Sequence, residues 1–453
     1  SANAQTSTNS LRDFWIYYGN ANSHAHYDAL NIGMEAYGLN IAPDLGYPEN
    51  TGTDPNRLQW VQATISHNTV VVDEKDQKSA RPNALPLHFD STDAVKLMDI
   101  SSPDAYPQTE NYRRSLVMVK VNDDISYGVD FFRVTGGEKH TYSFHSQAEN
   151  AAPVSGLELV ADPVVQDKDG KDIVGSYAGA DVPFGDDPDT KYGQNDWFYD
   201  TRYPRGYTWM RRPRRDTAPS ENFAVEFNVE DYNKAVSGGK DITLRMTQIN
   251  NFTPDEVAIV AGYVPQKSEN KNIPETLDYV LTQRYAKNGE SLDSLFTTVF
   301  EPYKGYRCLE NIEAVEVSGN IPAGDMVRAV KITHIDGKRI DYVVYATNNS
   351  QTYTVKDTDG TDVFNFRGFV GVYSVNASGS VIYRYVNDGD IIDGTEDEPA
   401  AAVSEYTGTV EDCTAQLSLD NYIDVNMQCD DLASLSGKYI YVDNDGKQSA
   451  VYR

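Results

Sequence analysis

The chain has 453 residues, of which 40% are hydrophobic, so a sizeable core is expected and wholesale disorder is not. The formal net charge is -29 and no basic tail offsets it. This charge argues against duplex nucleic acid and against broad adhesion to anionic membrane, because both need dense Lys and Arg. It leaves room for a local basic groove that binds an acidic sugar. No apolar run approaches the length of a membrane span.

The chain ends and the cysteines say little about the fold or the function. Residues 1–10 read as a polar leader or a vector-derived remnant, and the lack of an initiator Met or a signal peptide predicts a chain processed or cut from something longer. Three cysteines do not make a disulfide framework. Cys413 and Cys429 are able to pair, but buried free thiols are the preferred interpretation.

Short runs of β-branched and aromatic residues, separated by Gly, Asn, Asp and Pro, predict strands along most of the chain. Residues 69–72 form a continuous apolar run, which predicts a fully buried strand. Residues 327–332 alternate, which predicts a half-exposed strand. The fold class predicted is all-β: a large antiparallel β-sandwich (a supersandwich) followed by a small C-terminal β module.

Composition also predicts the domain boundaries. Residues 162–189 are rich in Asp, Gly and Pro and are expected to form a long surface excursion. Residues 388–402 are acidic and contain Pro and Ala, which is typical of a linker. The predicted division is residues 1–10 as leader, 11–395 as the β-sandwich domain and 396–453 as the small C-terminal β domain.

Three of the seven histidines lie within the first 67 residues, at His24, His26 and His67. The segment 24–37 reads as a strand, on which His24, His26 and Asp28 would share one face. Asp44 and His67 each stand beside another β-type run.

Three neighbouring strands would therefore bring His26, Asp44 and His67 to one point. Two imidazoles and one carboxylate are a common ligand set for first-row metals, and zinc takes it readily. Buried hydrogen-bonded histidines and a turn-forming Asp are the alternative that these residues alone leave open.

Three segments carry a resemblance to a known family: SHAHYDALN at 23–31, PDLGY at 43–47 and ATISHNTVVVD at 63–73. They resemble the start of the β-sandwich domain of the heparinase II/III-like polysaccharide lyases, which act on heparin, heparan sulfate and alginate. Looser similarity continues through YGVDFFRVTGG, HTYSFH and FTTVFEPY. The resemblance covers roughly residues 12–390.

The resemblance implies specific roles. His26, Asp44 and His67 would bind a zinc ion that is mainly structural, and His24 would lie at the active site. The family's general base and acid, a Tyr and a His, come from an N-terminal α/α-toroid, expected here as a helical domain of the same protein outside this chain. It also implies an acidic polysaccharide as partner and a secreted or periplasmic location.

Such lyases cleave uronic-acid sugars by β-elimination, which requires the sugar carboxylate to be neutralised before its neighbouring C5 proton is removed. His24 is the candidate for neutralising it. Tyr47 is a candidate sugar contact, with packing as the alternative.

A run of six arginines between residues 202 and 215, interleaved with aromatic residues, reverses the local charge. Arginine suits carboxylate and sulfate groups, and aromatic rings stack on sugars. Arg211, Arg212 and Trp209 are therefore candidate substrate-binding residues. The alternative is an Arg-rich loop that pairs with surface Asp and Glu.

The leading hypothesis is the β-sandwich portion of a zinc-containing lyase of uronic-acid glycans, incomplete for catalysis by itself. The alternative is a non-catalytic carbohydrate-binding β-module with a structural zinc. A metallohydrolase is the third interpretation, and it is disfavoured because no general-base Glu is evident beside the predicted metal ligands.

Overall fold

The structure is a computed structural model of the full chain. It describes residues 2–5, 11–18, 25–52, 54–79, 84–187, 191–192, 199–200, 202–220, 222–236, 241–268, 272–393, 406–416, 418–429, 432–435, 439–444 and 448–452. Nearly all regular structure in these ranges is β-strand, as the sequence predicts, so the all-β fold class is confirmed.

The first strands in chain order are β1 (Ala2–Gln5), β2 (Leu11–Ile16), β3 (Ile32–Ala36), β4 (Leu39–Asn40), β5 (Val70–Val72), β6 (Leu85–Ser91), β7 (Val95–Ser101), β8 (Asn111–Lys120), β9 (Ser126–Thr135), β10 (Lys139–His145), β11 (Ala151–Ser155), β12 (Val160–Ala161), β13 (Gly175–Ser176), β14 (Gly179–Pro183), β15 (Lys191–Tyr192), β16 (Tyr199–Asp200), β17 (Met210–Asp216) and β18 (Asn222–Val229).

The remaining strands are β19 (Ile242–Ile249), β20 (Glu256–Tyr263), β21 (Thr276–Tyr285), β22 (Asp293–Lys304), β23 (Leu309–Val315), β24 (Val317–Gly319), β25 (Val327–His334), β26 (Arg339–Ala346), β27 (Tyr353–Lys356), β28 (Asp362–Arg367), β29 (Val370–Asn376), β30 (Val381–Asn387), β31 (Ile391–Ile392), β32 (Gly408–Cys413), β33 (Ile423–Met427), β34 (Ile440–Asn444) and β35 (Gln448–Tyr452). Helical turns are short: a π-helical turn at Arg57–Val61 and 3-10 turns at Thr64–Ser66, Tyr207–Trp209 and Leu432–Leu435. None of the described helices has the length and apolar character needed to cross a membrane.

The chain divides into two compact units. The first comprises Ser1–Ala314, Lys331–Ile340 and Asp443–Ser449, and the second Val315–Val330, Asp341–Val442 and Ala450–Arg453. This division falls inside the predicted domain 11–395. The predicted boundary after residue 395 lies in 394–405, outside the described residues, and stays a prediction. Composition marks a linker, but it does not reveal which strands pair over long range.

The first unit contains two eight-stranded sheets that pack into a sandwich. One sheet runs β14-β13-β17-β20-β21-β10-β5 with β12 beside β17, and the other runs β11-β18-β19-β22-β9-β8-β7-β6. A single apolar core draws side chains from both sheets, including Phe144 and Ile259 from the first and Phe132 and Phe300 from the second. The antiparallel sandwich is therefore confirmed.

The first sheet is covered on both faces. Its outer face packs in a second apolar cluster beneath Trp60, Tyr207 and Trp209. On β5, Val70 and Val72 belong to the inter-sheet core, while Val71 belongs to this second cluster. Because side chains alternate along a strand, a strand buried on both faces reads as the continuous apolar run seen at residues 69–72.

One local prediction is wrong. Within the described residues 25–37 of the predicted strand 24–37, only Ile32–Ala36 forms a strand, because Leu30 adopts a left-handed conformation (φ 61°) and Asn31 N–H closes a turn onto the Asp28 carbonyl. Within the predicted polar leader 1–10, Ala2–Gln5 forms strand β1 and pairs with β2, and the assignment as a leader stays a prediction. Residues 6–10 lie outside the described ranges.

The second unit contains the sheet β24-β27-β28-β31 and the pairs β29–β30 and β32–β33. In the predicted excursion 162–189, residues 163–174 are largely exposed, whereas Tyr177 is buried against the second apolar cluster. The three cysteines, Cys308, Cys413 and Cys429, are free thiols.

Candidate metal centre

Loops rather than strands position the candidate metal ligands. His26 and Asp28 lie between β2 and β3, Asp44 lies after β4, and His67 lies between the 3-10 turn Thr64–Ser66 and β5. One ligand atom from each of these four side chains lies within 4.8 Å of the others. The predicted convergence of His26, Asp44 and His67 is therefore present, although the predicted strands are not what produces it.

The geometry of the cluster suits a small cation. Asp44 Oδ2 lies 3.1 Å from His67 Nδ1 and 3.6 Å from His26 Nδ1. Tetrahedral ligands at zinc bond lengths of about 2.0–2.1 Å are separated by roughly 3.3 Å from one another. The two measured distances lie on either side of that separation, so one ion can contact all three atoms after small shifts.

The histidines lack the partners that a purely structural role would supply. Both ring nitrogens of His67 and Nε2 of His26 are buried without a hydrogen bond to any described residue. The short approach of His67 to Asp44 does not have hydrogen-bond geometry. Buried polar atoms are normally satisfied, so unpaired imidazole nitrogens gathered around one point fit a metal-binding site. The alternative of hydrogen-bonded core histidines describes His140 and His145 instead, which contact the Gly136 and Pro43 carbonyls.

The carboxylates and imidazoles of the cluster shift one another's pKa values. Burial by itself would raise the pKa of Asp44, but contact with His26 and His67 holds that pKa well below its usual range. Burial by itself would lower the pKa of His67, but the neighbouring Asp44 raises that pKa overall. Burial raises the pKa of Asp28, opposed in part by His67 and His26. The cluster thus places two carboxylates, the buried Asp28 and the partly exposed Asp44, against two imidazoles, and a bound dication would balance their charge.

A buried arginine fixes the two ligand-bearing loops. The Arg114 guanidinium is fully buried and donates to the Leu30 and Asn68 carbonyls while pairing with Asp130. Leu30 belongs to the loop of His26 and Asp28, and Asn68 follows His67. Asn68 N–H also donates to Asn31 Oδ1 at 2.8 Å. The loops are therefore tied together behind the ligands.

Other predicted site residues have varied surroundings. His24 lies outside the described residues. The half-buried Tyr47 places its ring 4.8 Å from that of His26, so it packs against the ligand cluster. Trp209 is buried, donates to Gln59 Oε1 at 2.9 Å and packs 5.1 Å from Tyr263. Its ring therefore lies in the second apolar cluster and not on a sugar-accessible surface.

Most of the arginine run is paired with acids. The ion pairs are Arg205 with Asp76 (2.8 Å), Arg211 with Glu275 (2.7 Å), Arg214 with Asp278 (3.5 Å), and Arg215 with Asp162 (3.0 Å) and Glu256 (2.8 Å). These contacts match the alternative of an Arg-rich segment that pairs with Asp and Glu. Arg212 differs: it is exposed at a bulge of β17, with φ 52°, and has no ion pair within the described part of the chain.

Sequence reasoning missed Asp28 as a member of the cluster. Its signal was the two-residue spacing from His26, interpreted only as sharing a strand face. The role of Arg114 carries no sequence signal, because its contacts depend on loops distant in the chain.

The comparisons with known proteins concern the part of the chain that holds this cluster. Residues 16–237 match the sequence model described as "Heparinase II/III-like, C-terminal". All four cluster residues lie inside the matched stretch. The match ends well before residue 390, so the looser resemblance over 238–390 is not covered by it. No curated protein gives a significant match.

Solved structures are similar at low identity. Heparan sulfate lyase HepC from Pedobacter heparinus is 14% identical over 73% of this chain and 38% of that chain, with a TM-score of 0.42. A structure named Heparinase III is 13% identical over 74% of this chain and 39% of that chain, with a TM-score of 0.42. A putative mutarotase from Salmonella typhimurium is 9% identical over 65% of this chain and 83% of that chain, with a TM-score of 0.24. The chain thus spans about two fifths of the length of the two lyases.

Proposed function

We propose that this chain is the β-sandwich part of a polysaccharide lyase that cleaves uronic-acid-containing acidic glycans by β-elimination, and that it holds a structural zinc ion. The observation that carries the proposal is the buried cluster of His26, Asp44 and His67 inside a heparinase II/III-like domain. An acidic glycan implies an enzyme that is secreted or periplasmic.

The donor set supports zinc in particular. Imidazole nitrogen and carboxylate oxygen are both common zinc ligands, and neutral imidazole disfavours the hard cations calcium and magnesium. Bound zinc would cross-link three segments of the chain that no disulfide connects, and so contribute folding free energy directly. His26, Asp44 and His67 would hold it, with Tyr47 packed on the ring of His26.

Elimination needs a group that neutralises the sugar carboxylate, a base for the C5 proton and an acid for the leaving oxygen. On this proposal His26 and His67 are engaged by the metal. Burial lowers the pKa of His140 and of His145 to about 4, and neither side chain is accessible to a polymer. We assign carboxylate neutralisation to His24, and the base and acid to a helical domain of the parent protein.

Glycan binding is assigned to the exposed end of the arginine run. Arg212 is exposed, and Arg211 lies beside it with a side chain 19% exposed and paired with the more exposed Glu275. An incoming carboxylate or sulfate is able to compete for such a partly exposed pair, because surface ion pairs stabilise by only about 0–1 kcal/mol. Trp209, which is buried, and Tyr47, which packs on the ring of His26, are not proposed to stack on sugar.

His26 and His67 are engaged by the metal on this proposal, and His140 and His145 are buried. This arrangement also suits the second candidate, a non-catalytic carbohydrate-binding module with structural zinc. One experiment separates the two. The full-length parent protein is mixed with a panel of uronic-acid glycans, while ultraviolet absorbance reports unsaturated product and titration calorimetry reports binding. Product formation supports the lyase. Binding without product supports the module, and neither signal with any uronate would contradict both.

A further inference from the structure

The carboxylate of Asp28 is the least explained member of the metal cluster. Its side chain is 8% exposed, and its Oδ1 is buried without a hydrogen-bond partner among the described residues. The backbone around it is fixed, because Asn31 N–H donates to the Asp28 carbonyl and Ala29 N–H donates to Gln77 Oε1 at 2.8 Å. This loop therefore holds a carboxylate that has one unsatisfied oxygen beside His26, Asp44 and His67.

A bound cation would neutralise the negative charge of the Asp28 carboxylate. A buried ionised carboxylate is costly unless it is paired or coordinates a metal. With neutral imidazoles, Asp28 and Asp44 contribute two negative charges to one buried site, which a single dication neutralises. The same balance holds when Asp28 lies beside the ion without binding it, so charge places Asp28 near the ion and geometry has to decide whether it is a ligand.

We infer that Asp28 is the fourth protein ligand, so that two imidazoles and two carboxylates enclose the ion. This inference rests on the proposed zinc site and deepens it. The four ligand atoms spread over 4.8 Å at most, against roughly 3.3 Å between tetrahedral zinc ligands, so closure requires movements of about 1.5 Å or less. Structural zinc sites are closed by four protein ligands, whereas catalytic sites keep one position open. The ion would then have no position for a substrate oxygen.

The competing arrangement makes Asp28 an outer residue that accepts a hydrogen bond from a ligand imidazole. In the described structure neither His26 nor His67 makes a hydrogen bond or ion pair with Asp28. Both histidines approach Asp44 instead. Direct ligation is therefore the simpler explanation for the orientation of its carboxylate.

Cobalt substitution tests the inference without any assay of activity. Cobalt(II) reports coordination through its visible absorption, which is intense for four ligands and weak for six. We expect the wild-type chain to bind one cobalt with an intense, four-coordinate spectrum that excess thiocyanate does not change, because no position is open. Asp28→Ala should open a position, so thiocyanate should change its spectrum.

Affinity gives the second readout. Competition with a chromogenic chelator should show zinc binding at least about 100-fold weaker in Asp28→Asn and Asp28→Ala, since losing even an outer partner weakens binding about 10–100-fold. Asp278→Asn is the matched control, because Asp278 is also buried, at 6% exposure, but lies outside the cluster. It should bind zinc like the wild type.

The outcomes distinguish the role of Asp28 as fourth ligand from the presence of the zinc site. A wild-type chain that binds cobalt with a thiocyanate-sensitive spectrum overturns the fourth-ligand inference and leaves the zinc site standing. Unchanged zinc affinity in Asp28→Asn does the same. A wild-type chain that binds neither metal overturns the zinc site and the inference together. The wild-type spectrum decides even when a variant fails to fold.

Discussion

Replacement of Arg114 by Met should both destabilise the chain and weaken metal binding. The Arg114 side chain is fully buried and donates to Asp130 at 2.8 and 2.7 Å and to the Leu30 carbonyl at 2.7 Å. It also donates to the Asn68 carbonyl. Methionine fills a similar space but provides no donor. Asp130 then loses its charged partner and keeps only the Tyr142 hydroxyl, and the Leu30 carbonyl loses its donor. The Asn68 carbonyl keeps the Ile32 N–H.

The expected loss follows from those contacts. Removing one partner of a buried ion pair costs about 3–5 kcal/mol. The orphaned Leu30 carbonyl adds up to about 1–3 kcal/mol, and relaxation makes these terms less than additive. We expect the free energy of unfolding to fall by about 4–6 kcal/mol, a large share of a typical total of about 5–15 kcal/mol. Because Leu30 and Asn68 adjoin the ligand-bearing loops, zinc affinity should fall as well.

Urea unfolding followed by tryptophan fluorescence measures the loss, and the chelator competition measures the affinity. Arg114→Met combined with Asp130→Leu should recover much of the stability but not the zinc affinity, since the charge is removed while the loops stay untied. Lys338→Ala is the control, because the Lys338–Asp336 pair is exposed and should contribute less than about 1 kcal/mol. A loss under about 1 kcal/mol in Arg114→Met would refute the role given to this side chain.

Three further predictions test separate parts of the account. Burial lowers the pKa of His140 to about 4, against about 6.5 in the unfolded chain, so its contribution to stability is complete above about pH 6.5 and is lost as the pH falls towards 4. Between about pH 7 and pH 5 the wild type should lose about 2 kcal/mol more than His140→Gln in urea unfolding, and equal losses would exclude a buried neutral His140. Charge reversal of Arg212 and Arg211 should weaken binding of uronate oligosaccharides, and wild-type binding should weaken with salt; unchanged affinity in calorimetry would return the run to a purely structural role. The isolated chain should form no unsaturated product, and the added helical domain should restore activity that depends on His24; ordinary turnover by the isolated chain would show this division of labour to be wrong.

The features predicted from sequence were those with a local or motif signal. The continuous apolar run at residues 69–72 predicted the doubly covered strand β5, and the alternation at 327–332 agrees with β25, where burial alternates over its second half. His26, Asp44 and His67 were identified from a family resemblance, and they do converge.

The remainder depended on tertiary contacts. The turn at Leu30 replaced the predicted strand, because the loop is held by the distant Arg114 and not by its own residue preferences. The same turn directs Asp28 to the cluster. Trp209 was expected on a sugar-binding surface, yet it covers the outer face of the first sheet. Composition alone does not distinguish an aromatic residue that covers a sheet from one that stacks on a ligand.

The metal content of the purified chain tests the central claim most directly. Elemental analysis after gentle purification should find about one zinc per chain, because two imidazoles and a carboxylate form a zinc site. His26→Ala, Asp44→Ala and His67→Ala should each release the metal and lower the melting temperature, whereas His24→Ala should retain it. A wild-type chain without any transition metal, or metal retained in all three of those variants, would contradict the account.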